Sequence, residues 1–233
     1  QNSKQLIYDH AVLRLYDFPV FYTPKFYHPD PTVRRLSGFL RPQINSSDEL
    51  GDSIHLPYFY IISPTKDMTI RPTIFDNGIK MIQNEYRQLN ANSEFITDFG
   101  LTTGYKPSYA DKKKNLTHLF SKFTSDLKFN SFSTSDLSVS IERVSNDTYL
   151  KVFDTNFYEN NLRPKSSNNL KFEIKLELNH NDYSLDTGLR AYEKLTVSKK
   201  SDRFQFILPY YNFTKNFDKE FFNGQLGFSS SGS

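Results

Sequence analysis

The segment Lys171-Phe172-Glu173-Ile174-Lys175-Leu176-Glu177-Leu178 alternates charged and apolar residues without a break. In a strand, successive side chains point to opposite sides, so Phe172, Ile174, Leu176 and Leu178 share one face while the four charges share the other. A helix would scatter both sets round its circumference. Helical periodicity is absent from most of the chain, and the two-residue period recurs along it, which predicts an all-β fold. Strands are expected over Met68–Ile74, Ile79–Gln88, Leu116–Leu127, Leu137–Val144, Tyr183–Tyr192, Arg203–Tyr211 and Phe221–Phe228. Asn77-Gly78 supplies the positive φ angles of a tight hairpin, and Asn179-His180-Asn181-Asp182 is a cluster of turn formers. By pattern, about ten to twelve strands follow Leu36. Short turns alternate with longer polar connections such as Asn156 to Asn169, a pattern of outer-membrane barrels that a soluble meander can also show.

Composition narrows the class without deciding it. No stretch of the 233 residues approaches the roughly 18 to 20 unbroken apolar residues of a spanning helix. A mean hydropathy of -0.61 still suits a transmembrane barrel, in which only alternate residues meet lipid. Twenty-two Phe and 15 Tyr fit strands and interfacial girdles, and equally an aromatic-rich soluble sandwich. A net charge of +3 is too small to argue for nucleic acid, and Lys112-Lys113-Lys114 reads as a solvated loop. With no cysteine, the segment holds no disulfide, thiolate site or cysteine nucleophile.

The N-terminal part is different. Ala11, Leu13 and Leu15 alternate with Val12, Arg14 and Tyr16, and prolines then follow at 19, 24, 29 and 31. That density reads as a strand end and a linker, with a boundary between about 24 and 36. Neither the start at Gln1-Asn2-Ser3 nor the end after Gly227-Phe228 looks finished, so the chain is read as an internal fragment.

Asp17-Phe18-Pro19-Val20-Phe21-Tyr22-Thr23-Pro24 leads to His28-Pro29-Asp30-Pro31-Thr32-Val33-Arg34-Arg35 and Ser37-Gly38-Phe39-Leu40. Next come Leu56-Pro57-Tyr58-Phe59-Tyr60-Ile61-Ile62-Ser63-Pro64 and Lys66-Asp67-Met68-Thr69-Ile70-Arg71-Pro72, with an echo at Asn146-Asp147-Thr148-Tyr149-Leu150. This string resembles the LptD family, the lipopolysaccharide-assembly outer-membrane proteins also called organic solvent tolerance proteins. The specific likeness covers about residues 16 to 88; beyond that it is one of pattern. The resemblance implies a periplasmic β-jelly-roll followed by a large antiparallel transmembrane barrel of roughly two dozen strands. Residues 1–30 would close the jelly-roll, and 31–233 would form the first part, about half, of the barrel. The location implied is the Gram-negative outer membrane, with the N-terminal part in the periplasm. Implied partners are lipopolysaccharide, outer-membrane lipids, an LptE-like plug lipoprotein in the lumen and an LptA-like bridge protein. No cofactor is implied.

Pro42 and Pro57 match prolines that the family places on its first two barrel strands. Each deletes a ladder N–H, which suits a seam that parts to pass lipid sideways; prolines also sit at strand ends and bulges. Ala11, Leu13 and Leu15 suit either an acyl-chain groove or ordinary jelly-roll core. Tyr58, Phe59, Tyr60, Tyr210 and Tyr211 suit an interfacial aromatic belt or core packing. Arg34, Arg35 and Arg41 would meet lipid phosphates or simply flank the membrane.

Signatures of catalysis are thin. The histidines at 10, 28, 55, 118 and 180 show no metal-site spacing, and no Gly-x-Ser-x-Gly elbow or phosphate loop occurs. His118, Ser121 and Asp126 would alternate faces on a strand. The expectation is a lipopolysaccharide transporter rather than an enzyme. A porin-like barrel and a soluble all-β carbohydrate-binding domain are the alternatives, and membrane partitioning separates them.

Overall fold

In a computed structural model of the chain, residues 5–15, 18–29, 35–107, 112–157, 160–197, 199–221 and 224–233 are described. Almost all of the structure is antiparallel β. Strands β1 (Gln5–Leu15) and β2 (Phe18–Pro29) form a two-stranded sheet. The remaining strands are β3 (Gly38–Phe39), β4 (Gln43–Ser47), β5 (Gly51–His55), β6 (Tyr58–Ser63), β7 (Lys66–Phe75), β8 (Lys80–Leu89) and β9 (Ser93–Tyr105). They continue as β10 (Lys114–Asp126), β11 (Thr134–Val144), β12 (Asn169–Asn179), β13 (Tyr183–Lys194), β14 (Phe204–Phe221) and β15 (Gly224–Gly232). All 13 lie in one open sheet, each strand beside its sequence neighbour from β7 to β15. β3 with β4, and β5 with β6, are two interrupted lines, which makes the first two positions of the meander.

The proline-dense stretch read as a linker is a strand. β2 pairs with β1 from Gln5↔Pro29 to Leu15↔Phe18. Its prolines are accommodated because a two-stranded ribbon has an unpaired side, and because irregularities fall beside them: the register shifts between Leu13 and Arg14, opposite Pro19, and His10 takes a φ of 54°. β9 is a strand that the alternation did not single out, Gly100, Gly104 and the buried Asp98 having blurred its pattern. β14 runs ten residues past the Tyr211 expected as its end, and β15 starts at Gly224 rather than Phe221.

Alternation sorts the large sheet into two faces of opposite chemistry. Ile44, Ile54, Ile62, Ile74, Ile82, Phe99, Leu119, Phe172, Leu189, Phe206 and Leu208 are all exposed, Ile44 at 74%. Pairings such as Leu119↔Phe99, Ile141↔Phe172 and Ile174↔Leu189 keep this apolar side continuous from strand to strand. The other face carries buried Ser53, His55, Asp67, Thr69, Arg71, Thr73, Gln83, Glu85, Asp98, Thr102 and His118. Among the described residues no second sheet covers the Phe172 side, so they do not form a sandwich over it. Among the described residues no helix is long and apolar enough to cross a membrane, a fact that says nothing about strands.

The polar face is covered by the chain itself. Residues 145–168, between β11 and β12, fold back over it through α1 (Tyr149–Val152) and a 3₁₀ turn (Asp154–Asn156). Tyr149, Leu150, Phe153, Phe157 and Leu162 pack with Leu50, Phe75, Ile79, Met81, Leu116 and Phe120 in the main core cluster. One loop therefore meets side chains from the second line of the sheet to β10, and the sheet is concave around it. The connection expected to be a plain polar loop is an inserted element.

Candidate functional site: the interrupted strands and the filled concave face

The first strand line breaks at Leu40-Arg41-Pro42 and the second at Leu56-Pro57. Register explains the first break. Phe39 faces Tyr58 and Gln43 faces His55, so three residues oppose two, a bulge that contains the exposed Pro42. Leu40 N–H donates to Pro57 O at 2.8 Å, and the return bond fails because Pro57 has no N–H. Between the second and third lines the register stays constant, with His55 facing Thr73 and Tyr58 facing Ile70. Leu56 N–H there donates to Pro72 O at 3.1 Å, and again no N–H is present to answer it. Pro72 is thus a third ladder gap at the same level. Arg71-Pro72 belongs to the string that carries the family likeness, and only the register shows which neighbour its missing donor faces.

Beside the Pro42 bulge, a cleft of about 680 Å³ is lined by Arg41, Pro42, Gln43, Ile44, Asn45, Thr155 and Phe157. Arg41 is exposed there. Arg35 is engaged elsewhere: its Nη1 donates to Pro64 O at 2.9 Å, it pairs with Asp67, and its guanidinium lies 5.8 Å from the Phe59 ring centre. Arg34 lies outside the described residues, as do the side chains of Leu13 and Leu15, while Ala11 is half-buried. Among the described residues, Arg35 and Arg41 are not brought into one cluster. The Arg35 contact also brings the incoming chain to the Pro64 turn, the end with short connections; residues 106–113, 145–168 and 195–203 connect strands at the opposite end.

The proposed aromatic belt divides by face. Tyr58 and Tyr60 share the exposed apolar side with Met68 and Ile70, and Tyr211 is exposed with its hydroxyl 3.3 Å from Ser230 Oγ. Phe59 turns inward opposite buried Thr69. Tyr210, 4% exposed, also turns inward: its hydroxyl accepts from Arg190 and donates to Asp186, and Arg190 lies 4.1 Å over its ring. A register shift between Gly188 and Arg190 allows both tyrosines of the pair to be placed this way.

Inside the concavity, His118 is held on several sides. Tyr149 OH lies 3.0 Å from its Nδ1 and Asp98 Oδ1 lies 3.4 Å from Nε2; the ring stacks on Phe120 at 4.6 Å. Bonding in this arrangement has Nε2–H donate to the carboxylate and Nδ1 accept from the phenol. Asn160 bridges Glu85 and Asp98, 3.0 Å from each. Ser121 lies on the other face, so His118, Ser121 and Asp126 are not brought together. Lys171, Glu173, Lys175, Glu177, Asp186 and Arg190 form a largely self-paired charge ladder further along the inward side. At the long-loop end Arg203 bonds Asp147 (3.0 and 2.6 Å) and Glu193 (2.8 Å), which anchors the root of the inserted loop and holds the Asp147 carboxyl below its ordinary range. Among the described residues no group of His, Asp and Glu is placed to hold a metal ion.

Gly100 is what lets His118 lie flat. A Cβ there would fall 2.2 Å from His118 Cε1 and 2.5 Å from Nδ1, and the ring has no room to yield between Phe120, Tyr149 and Phe157. Gly100→Ala is expected to cost about 1–3 kcal/mol through overpacking, with more if the polar partners of His118 are stranded. Urea unfolding of the membrane-reconstituted protein measures this, and a midpoint equal to wild type would refute the packing argument.

No family model matches the chain. Individual relatives do. It is 40% identical over 88 residues, 38% of its length, to "LPS-assembly protein LptD" of Pseudomonas aeruginosa strain UCBPP-PA14. It is 30% identical over 156 residues (62%) to the protein of that name in strain LESB58, and 30% over 150 residues (64%) to that of Idiomarina loihiensis. Over these stretches the chain is similar to LptD proteins. The matches cover only 9%, 15% and 19% of those three LptD proteins, so the chain spans well under a third of the length of the curated relatives it matches.

Proposed function

We propose that this chain forms the opening part of the wall of an outer-membrane barrel that delivers lipopolysaccharide to the outer leaflet, its β1–β2 ribbon belonging to a periplasmic jelly-roll. The division falls at about residues 1–30 and 31–233. The observation that carries this reading is the chemistry of the large sheet: its uncovered face carries exposed apolar side chains, while its covered face mixes an apolar cluster with buried His, Asp, Glu and Arg. A water-soluble sheet shows the reverse, since exposed apolar area costs roughly 25 cal/mol per Å². In a bilayer the arrangement is the stable one. The relatives' printed name supplies the cargo, lipopolysaccharide.

On this reading Pro42 and Pro57, joined by Pro72, make the first strand lines easy to part, and the lipid leaves beside them. Arg41 at the cleft suits the lipid's phosphates, Ala11, Leu13 and Leu15 suit its acyl chains in the periplasm, and Tyr58, Tyr60 and Tyr211 suit the membrane interface. A plug lipoprotein in the lumen and a bridge protein at the jelly-roll edge complete the route. The chemistry is transport, and energy comes from outside this segment.

The test is Pro42→Ala with Pro57→Ala in the full-length protein. Each restored N–H contributes about 1 kcal/mol, so parting becomes rarer by roughly thirtyfold for the pair. The expected result is slower lipopolysaccharide arrival at the cell surface with the protein still inserted. Export at the wild-type rate would remove these prolines from the mechanism.

A further inference from the structure

The first strand line has little to hold it. β4 pairs with β5 over five residues, from Gln43↔His55 to Ser47↔Gly51, and β3 pairs with β6 over two, with the bulge between them. On its other side no strand pairs with it among the described residues. Side chains add what the ladder lacks. Asn45 Nδ2 donates to Thr155 O at 2.9 Å, within the 3₁₀ turn of the inserted loop. The next residue, Asn156, is 2% exposed and donates from Nδ2 to Ser53 Oγ at 3.1 Å; the Ser53 hydroxyl donates in turn to Asn45 O at 3.4 Å. Asn45 Nδ2 also lies 3.1 Å from His55 Nε2, and His55 Nδ1 lies 2.8 Å from Thr73 Oγ1. One polar network therefore joins the first three strand lines to a loop rooted between β11 and β12.

We infer that the turn Asp154–Asn156 is a latch on the first strand line, with Asn45 and Asn156 as the positioning residues that couple the seat of the loop to the freedom of that line. This rests on the seam reading above. Beside the apolar packing of Tyr149, Leu150, Phe153, Phe157 and Leu162, the loop is held on the concave face by Asn160, which donates to Glu85 and Asp98 in hydrogen bonds that a polar solute can replace. A bulky polar solute entering the concavity competes for those groups, and where it also shifts the 3₁₀ turn it breaks the Asn45–Thr155 and Asn156–Ser53 bonds. The first line is then left with its short ladder alone.

Amide hydrogen exchange on the full-length protein in lipid nanodiscs tests the latch. Each bond is worth a few-fold in the opening equilibrium, so Asn45→Ala with Asn156→Ala should exchange at residues 43–47 about tenfold faster than wild type, with β7 and β8 unaltered. Asn45→Asp, which keeps the shape and removes the donor, should match Asn45→Ala, whereas Ile44→Ala on the exposed face should match wild type. Unchanged exchange at 43–47 overturns the latch, and so does an equal acceleration over β7 and β8, the mark of general loosening. Export is read in the same variants: local acceleration with wild-type export upholds the latch and counts against the seam reading.

Discussion

Tyr149→Ala in the full-length protein is expected to detach the inserted loop and leave the strand meander standing. Tyr149 is 0% exposed; its ring meets His118, Phe153 and Phe157, and its hydroxyl serves both His118 and Thr102. Truncation of a fully buried aromatic costs about 3–5 kcal/mol, and the two stranded polar groups add to it. That loss falls on a segment of 145–168 held by side chains, whereas the sheet is held by backbone ladders along every strand from β7 to β15. Trypsin reports the separation. Lys151 and Lys165 lie in the loop, and cleavage after them should rise by at least two orders of magnitude while the strand meander persists. Tyr149→Phe, which keeps the ring, should show a smaller rise of about five- to tenfold. Resistance equal to wild type in Tyr149→Ala would mean that the loop is not seated as described.

A charge on the exposed face is the second large effect. Phe99 and Leu119 face each other across β9 and β10 near mid-strand, and both point away from the filled concavity. In water, Leu119→Arg at an exposed site would change stability by less than about 0.5 kcal/mol. At the midplane of a bilayer the same change costs about 2–4 kcal/mol. Phe99→Arg should behave alike, and Ser138→Arg, on the inward side of β11, should be tolerated far better. Reversible urea unfolding in lipid vesicles gives the three values. Neutral outcomes for both outward arginines would sink the membrane reading and the lipid route with it.

The site was only partly readable from the residues. The alternation at 171–178 was enough to say which side chains share a face. It left open whether the apolar face was covered by a second sheet or by hydrocarbon, since both give the same period. The prolines at 42 and 57 stood out, yet which ladder each one interrupts depends on the direction of a missing N–H, which is set by pairing register. That is why Pro72 emerged only with Leu56 N–H bonded to its carbonyl. Alternation alone sends Tyr210 and Tyr211 to opposite sides, and the register shift decided that Tyr210 is the inward one. The proline string at 19–31 misled in the other direction, because proline density argues against a central strand and says less about an unpaired edge.

Legible in the residues alone were the all-β class, most strand positions, the family likeness and the segregation of charge from apolar residues along each strand. These follow from local geometry: a pleated backbone sends successive side chains to opposite sides whatever surrounds them. The burial of residues 145–168, the seating of His118 over Gly100 and the tie from Asn45 to Thr155 were decided by the tertiary structure. They join positions as far apart as 110 residues, through contacts that exist only once the sheet has curved and the loop has folded back, and no periodicity in a linear chain encodes such a meeting.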